Sequence, residues 1–204
     1  MSKLLHTTLI IVALWGYMAR VEAMECNAAL EAIERTIAAL PIDAVTSRAT
    51  DGDPVAENEL GRRLGLGLGI SKDSGLAFSW YEKAAQHGDC SAQANLAFMY
   101  LNGEGVQKNV PAARTWYLRA AEQGDRRAMY TLGFMHATGA LGTKDGPEAE
   151  RWFLAAAKRG YVPAQRALVT LYEKGELVPQ NLAEAAVWLH RVRDAALGKP
   201  WTSE

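Results

Sequence analysis

Cysteine is nearly absent: Cys26 and Cys90 are the only two. Two cannot frame a disulfide-dense miniprotein, and two alone do not make a zinc site. Charge of one sign is missing as well. The 22 basic and 23 acidic residues leave a formal net charge of −1. That balance excludes a general nucleic-acid binder, which needs a basic footprint to compete for phosphate. No long block of like charge marks an acidic or basic tail. No window alternates apolar and polar residues between hairpin turns, so a strand signal is missing too. The chain is still 49% hydrophobic and 22% charged, enough to bury a core and too apolar for disorder.

The longest apolar stretch, Leu4 to Met18, falls short of the roughly 20 residues of a membrane span. It follows Met1-Ser2-Lys3 and precedes Val21-Glu22-Ala23. This is the three-part pattern of a secretory signal peptide over residues 1–23, cleaved after Ala23. The protein is therefore expected to be exported, to a periplasm or to the medium. An uncleaved anchor, the one route to a membrane here, and a core helix are the alternatives. In an oxidising compartment an even cysteine count permits a Cys26–Cys90 disulfide, contributing about 4 kcal/mol in the chain-entropy model. Two unpaired thiols are the other reading.

What the chain does have is repetition. Trp80, Trp116, Trp152 and Trp188 stand 36 residues apart. Leu60, Leu96, Leu132 and Leu168 keep the same step, as do Ala56, Ala92, Ala128 and Ala164. So do Ala77, Ala113, Ala149 and Ala185, and Gly67, Gly103, Gly139 and Gly175. Such periods mark arrays of helical units. Each unit reads as two helices. In the second, a helix from about Ala92 to Leu101 stops at Asn102-Gly103, where glycine accepts the left-handed conformation. Pro111 then opens the next helix, where its missing N–H is harmless. One helix pair cannot bury both faces, so stacked neighbours supply the core.

The pattern Ala-x-x-x-Leu-Gly-x-x-Tyr, Gly-x-Gly-Val, Ala-x-x-Trp-Tyr-x-x-Ala-Ala-x-x-Gly-Asp resembles the Sel1-like repeat, a relative of the tetratricopeptide repeat. Its cleanest copy runs from Ala92 to Asp125. The resemblance implies an all-α fold, a right-handed α/α solenoid of about four helix–turn–helix repeats at 55–90, 91–126, 127–162 and 163–197. Residues 24–54 become N-terminal capping helices, with an amphipathic helix over Ala28–Leu40 (Leu30, Ile33, Ile37 and Leu40 on one face) and a degenerate second helix over Ile42–Ala49. Residues 198–204 form a tail. Leu141 and Leu177 depart from the second loop glycine, His136 replaces a tyrosine, and Arg191, Arg193 and Asp194 read as a polar C-terminal cap.

Catalytic signals are weak. Gly65-Leu66-Gly67-Leu68-Gly69 lacks dinucleotide spacing and follows a helix, so it reads as a turn. His87 occupies a turn position and reads as solvated; His136 reads as a core or interface residue. No His-Glu-x-x-His, Gly-x-Ser-x-Gly or Cys–His grouping appears. No cofactor is implied. The resemblance instead implies a non-enzymatic protein–protein scaffold, an adaptor or regulator of the bacterial envelope. The alternatives it leaves are a cell-wall or exopolysaccharide assembly protein and, without the cysteine pair in each repeat, a β-lactamase-like hydrolase. By tetratricopeptide geometry the partner meets a concave surface of first helices carrying Asn58, Arg62, Ala94, Phe98, Tyr130, Phe134, Arg166 and Thr170. Arg62 and Arg166 resist burial and make the better anchors. Phe98, Tyr130 and Phe134 have a core reading as well as a surface one.

Overall fold

The computed structural model describes residues 26 and 28–199. The expected signal peptide lies outside the described residues, as does all of the tail beyond Lys199. The described residues form ten helices and no strand. Two precede the repeats: α1, Ala28–Ala38, and α2, Ile42–Thr50. The first helices of the four repeats are α3 (Pro54–Leu66), α5 (Cys90–Asn102), α7 (Arg126–Thr138) and α9 (Val162–Lys174). The second helices are α4 (Ser74–Gln86), α6 (Val110–Glu122), α8 (Gly146–Ala157) and α10 (Leu182–Ala196). Each second helix packs on its own first helix, and α4, α6 and α8 also pack on the first helix of the next repeat, which makes a solenoid.

Local chemistry sets these boundaries. Asp53, Asp89 and Asp125 each accept a hydrogen bond from a first-turn N–H of α3, α5 and α7. Asp73, Asn109, Asp145 and Asn181 do the same for the second helices. A carboxylate or amide there satisfies donors that the helix cannot. The first helices end on Gly67, Gly103, Gly139 and Gly175, all at positive φ. The alanine and leucine columns of the first helices are buried throughout, and small alanines bring the helices close.

The substituted loop glycine finds its compensation in the structure. A side chain at Gly105 would run into the Ser74 carbonyl of the preceding repeat. At the junction of repeats 3 and 4 the same close approach persists with Leu177 in the loop, because Gly146 now stands opposite. The glycine of this contact has moved to the other side, an exchange that Leu141 does not share, since Val110 stands at its matching position.

The two ends of the array differ. Val45 and Ala49 of α2 are buried in the places that Tyr81 and Ala85 hold in α4, so α2 acts as a second helix and closes the N-terminal end. At the other end Leu182 and Leu189 are exposed, where Gly146 and Phe153 are buried one repeat earlier. Arg193 stands there in place of a buried alanine, as a cap requires.

α1 follows another plan. It packs on α3. The Cys26 N–H donates to the Gln123 carbonyl at 2.8 Å, and Cys26 is bonded to Cys90 with Cα atoms 6.1 Å apart. At its far end Arg63 donates to the carbonyls of Ala38 and Leu40 at 3.0 and 2.7 Å. The helix therefore lies along the array from repeat 1 to the turn before repeat 3. Eleven residues of helix span about 16 Å, and two stacked helices cover about that distance. Leu30 and Ile37 are buried beneath it, and Ile33, expected on the same face, is 47% exposed. α1 is thus a strap across the first helices as well as part of the cap.

Candidate functional site

The candidate site is the face that the first helices present, and equivalent positions along it can be compared repeat by repeat. Val55 and Ser91 are buried, whereas Arg127 and Pro163 are more open. Asn58 and Ala94 are buried, Tyr130 is half-buried and Arg166 is exposed. The strap accounts for the difference: it covers this row in repeats 1 and 2 and stops before repeat 3.

One turn further along, Arg62 is half-buried while Phe98, Phe134 and Thr170 are exposed. Phe98 and Phe134 retain 49% and 53% of their accessible surface. Neighbouring Leu96, Leu132 and Met135 on the same helices are fully buried, so the two rings point away from the core. Tyr130 sits against Phe153 and Tyr161, with ring centres 5.7 and 5.6 Å apart, and belongs half to the core. The Thr170 hydroxyl donates to the Arg166 carbonyl one turn back.

Polar groups hold the covered half together. Arg62 donates to both Glu59 oxygens at 2.7 and 2.8 Å, and Arg63 donates to one of them at 2.7 Å. Burial works against the Glu59 carboxylate, but the two guanidinium groups hold it below its ordinary pKa. Arg62 is therefore half of an ion pair, and its charge is not wholly available to a partner. Asn95 donates to Asn58 at 2.9 Å, joining repeats 1 and 2. Among the described residues Arg166 forms no ion pair.

Between the strap and the first helices lies a cavity of about 880 Å³. Its floor includes Asn58, Arg62 and Asn95, and Glu34 and Arg35 of α1 form a wall. Arg127 and Tyr161 close its far end. Arg126 donates to Glu31 of α1 at 3.0 Å, and Arg127 to Asp125 at 3.3 Å. The arrangement offers paired charges, amides and apolar rings on a rigid support. This is the chemistry of recognition by hydrogen bonding and burial.

The expected site residues fall into two groups. Phe98, Tyr130, Phe134, Arg166 and Thr170 form the open part of the face, and Asn58 and Arg62 lie beside the strap. The histidines sit elsewhere. His87 has its Nδ1 2.8 Å from Glu57, so the turn histidine is only partly solvated. His136 is half-buried beside Arg114 and Asp145, in a depression of about 610 Å³ near the second helices. The residues that sequence reasoning passed over are Glu59, Asn95, Arg126 and Arg127. The i,i+3 and i,i+4 spacing of Glu59 to Arg62 and Arg63 was the signal for the first. No local signal marks the contact between Arg126 and Glu31, 95 positions apart.

A family model described as Sel1 repeat matches residues 54–89, 90–125, 126–161 and 162–191. The crystal structure of a Sel1 repeat protein from Oxalobacter formigenes is similar at 37% identity, with a TM-score of 0.69. The match covers 76% of this chain and 63% of that one. The crystal structure of c5321, a protective antigen present in uropathogenic Escherichia coli strains, is similar at 31% identity, also with a TM-score of 0.69. Here 76% of this chain and 33% of that one are covered. The chain thus spans under two thirds of the length of either. No curated protein matches it.

Proposed function

Since the chain belongs to the Sel1 repeat family, whose members are generally protein-interaction scaffolds and typically non-enzymatic, we propose that it is an adaptor or regulator of the bacterial envelope, binding another protein through the face of its first helices. The observation that carries this reading is the pair of exposed rings, Phe98 and Phe134, on neighbouring first helices whose Leu96, Leu132 and Met135 are buried. Exposed aromatics beside arginine are the usual energetic anchors of an interface. Tyr130 shares the helix of Phe134, Arg166 and Thr170 lie on the next first helix, and Asn58 and Arg62 continue the face toward the strap. On this reading the surface is concave. Export is supported by the Cys26–Cys90 bond, because disulfides persist where the surroundings are oxidising.

Affinity capture tests the proposal. The chain from Met24 to Glu204 is cross-linked in an envelope extract of its source, beside a Phe98→Ala/Phe134→Ala/Arg166→Glu variant. One protein enriched by the wild type and lost with the variant supports the adaptor. Equal capture by both moves the site off this face, and capture of glycan alone overturns a protein partner.

A further inference from the structure

We infer that the open part of the first-helix face takes an amphipathic helix of net acidic charge, whose apolar residues recur every seven positions. The inference rests on the proposed function and names the kind of partner. Its basis is the strap itself, a helix already seated on the same face.

α1 buries Leu30 and Ile37, seven residues apart, and leaves Ile33 exposed. Seven residues of helix rise about 10 Å, close to the spacing of packed helices. The Leu30 end lies at repeat 2, one turn from the Cys26–Cys90 bond, and the Ile37 end lies by Arg63 of repeat 1. A helix laid along the array thus offers one apolar side chain to each repeat. Phe98 and Phe134 repeat that step on repeats 2 and 3, and the described residues leave about half of each side chain exposed. An incoming helix of the same spacing sets one apolar residue on each ring.

Charge points the same way. α1 carries Glu31, Glu34 and Arg35, a net acidic set, and Glu31 meets Arg126 at 3.0 Å. Arg126 and Arg127 of α7 already meet Glu31 and Asp125, and the cation left to a second helix is Arg166 of α9, which forms no ion pair among the described residues. An acidic helix is matched to this stretch, and a basic one is repelled.

The probe is a labelled peptide of residues 26–40 with Cys26→Ser, titrated onto the oxidised full chain. The disulfide keeps the protein's own α1 in its seat, so the peptide has the open part of the face to bind. The expected result is saturable binding that weakens with salt. A peptide of the same composition with its apolar residues moved off the seven-residue spacing binds at least about tenfold more weakly. Phe98→Ala with Phe134→Ala lowers affinity at least about tenfold, with an unchanged thermal midpoint, because both rings are exposed. Arg166→Glu lowers it as well. No binding of the peptide, or equal binding of the rearranged one, overturns the inference. A captured envelope protein that meets Phe98 and Phe134 through an extended segment also overturns it, yet leaves the proposed function intact. A protein captured equally by wild type and variant removes both.

Discussion

Repeats 1 and 2 and repeats 3 and 4 share one scaffold and carry two different surfaces. The buried columns are the same in both halves: Leu60, Leu96, Leu132 and Leu168 all lie in the core. The surface columns diverge. Val55 and Asn58 give way to Arg127 and Tyr130, then to Pro163 and Arg166, as burial falls. The N-terminal half has α1 across it, held by a disulfide at one end and by Arg63 at the other. The C-terminal half has no such cover from the described residues. In a repeat array the core columns specify the stack, and the surface columns report what lies on it.

The comparison is broken most severely at its covalent tie. Cys26→Ser removes a link closing a separation of 64 residues and is expected to lower stability by about 4 kcal/mol. Hydrogen exchange should rise in α1 and at the start of α5 and stay level in α9 and α10. Arg63→Ala attacks the other end of the strap. It frees two carbonyls and weakens the pairing of buried Glu59, and about 3 kcal/mol should be lost in denaturant unfolding.

Asp89→Asn sharpens the comparison through pH. Asp53 and Asp125 each have an arginine beside them, Arg48 at 2.6 Å and Arg127 at 3.3 Å. Asp89, next to the disulfide, has no ion pair among the described residues, and its Oδ2 is buried without a hydrogen-bond partner there. Burial pushes its carboxyl from an ordinary 3.8 up to about 8. The folded chain therefore holds a proton that the unfolded chain releases near pH 4. Stability from this group is full below that pH and is lost as pH rises toward 8. An amide side chain at this position keeps the cap and carries no charge. The variant should gain on the wild type from pH 5 to pH 8, by about 1–3 kcal/mol in chemical denaturation. Phe134→Ala has the smallest expected effect on folding, within about 0.5 kcal/mol, because the ring is already exposed. Its effect should appear in partner affinity.

Much of this fold was legible in the residues. The step of 36 positions, the glycines at Gly67 and Gly103 and the proline at Pro111 all act locally, and local chemistry is readable. The end of α2 followed from the match of Ala49-Thr50-Asp51-Gly52-Asp53 to the stretch Ala85 to Asp89 one repeat later. The course of α1 did not, because it falls outside those columns and its contacts reach residues such as Gln123 and Arg126. Nor did the periodicity of α1 reveal that Ile33 faces solvent, since Leu30, Ile33 and Ile37 all share helical spacing. The candidate face was legible only as a set of positions. Position in the repeat placed Phe98, Phe134 and Arg166 on the face, but whether each aromatic turned inward depended on neighbours. Tyr130 found Phe153 and Tyr161, while Phe98 and Phe134 did not turn into the core.

Photocross-linking tests the central claim most directly. A photoreactive phenylalanine analogue replaces Phe134 in one protein and Arg151, an exposed residue of α8, in another, and both are irradiated in the envelope extract. The account predicts a discrete protein adduct from position 134 and none from position 151. Adducts from position 151 with none from position 134 would contradict it and place recognition on the second helices.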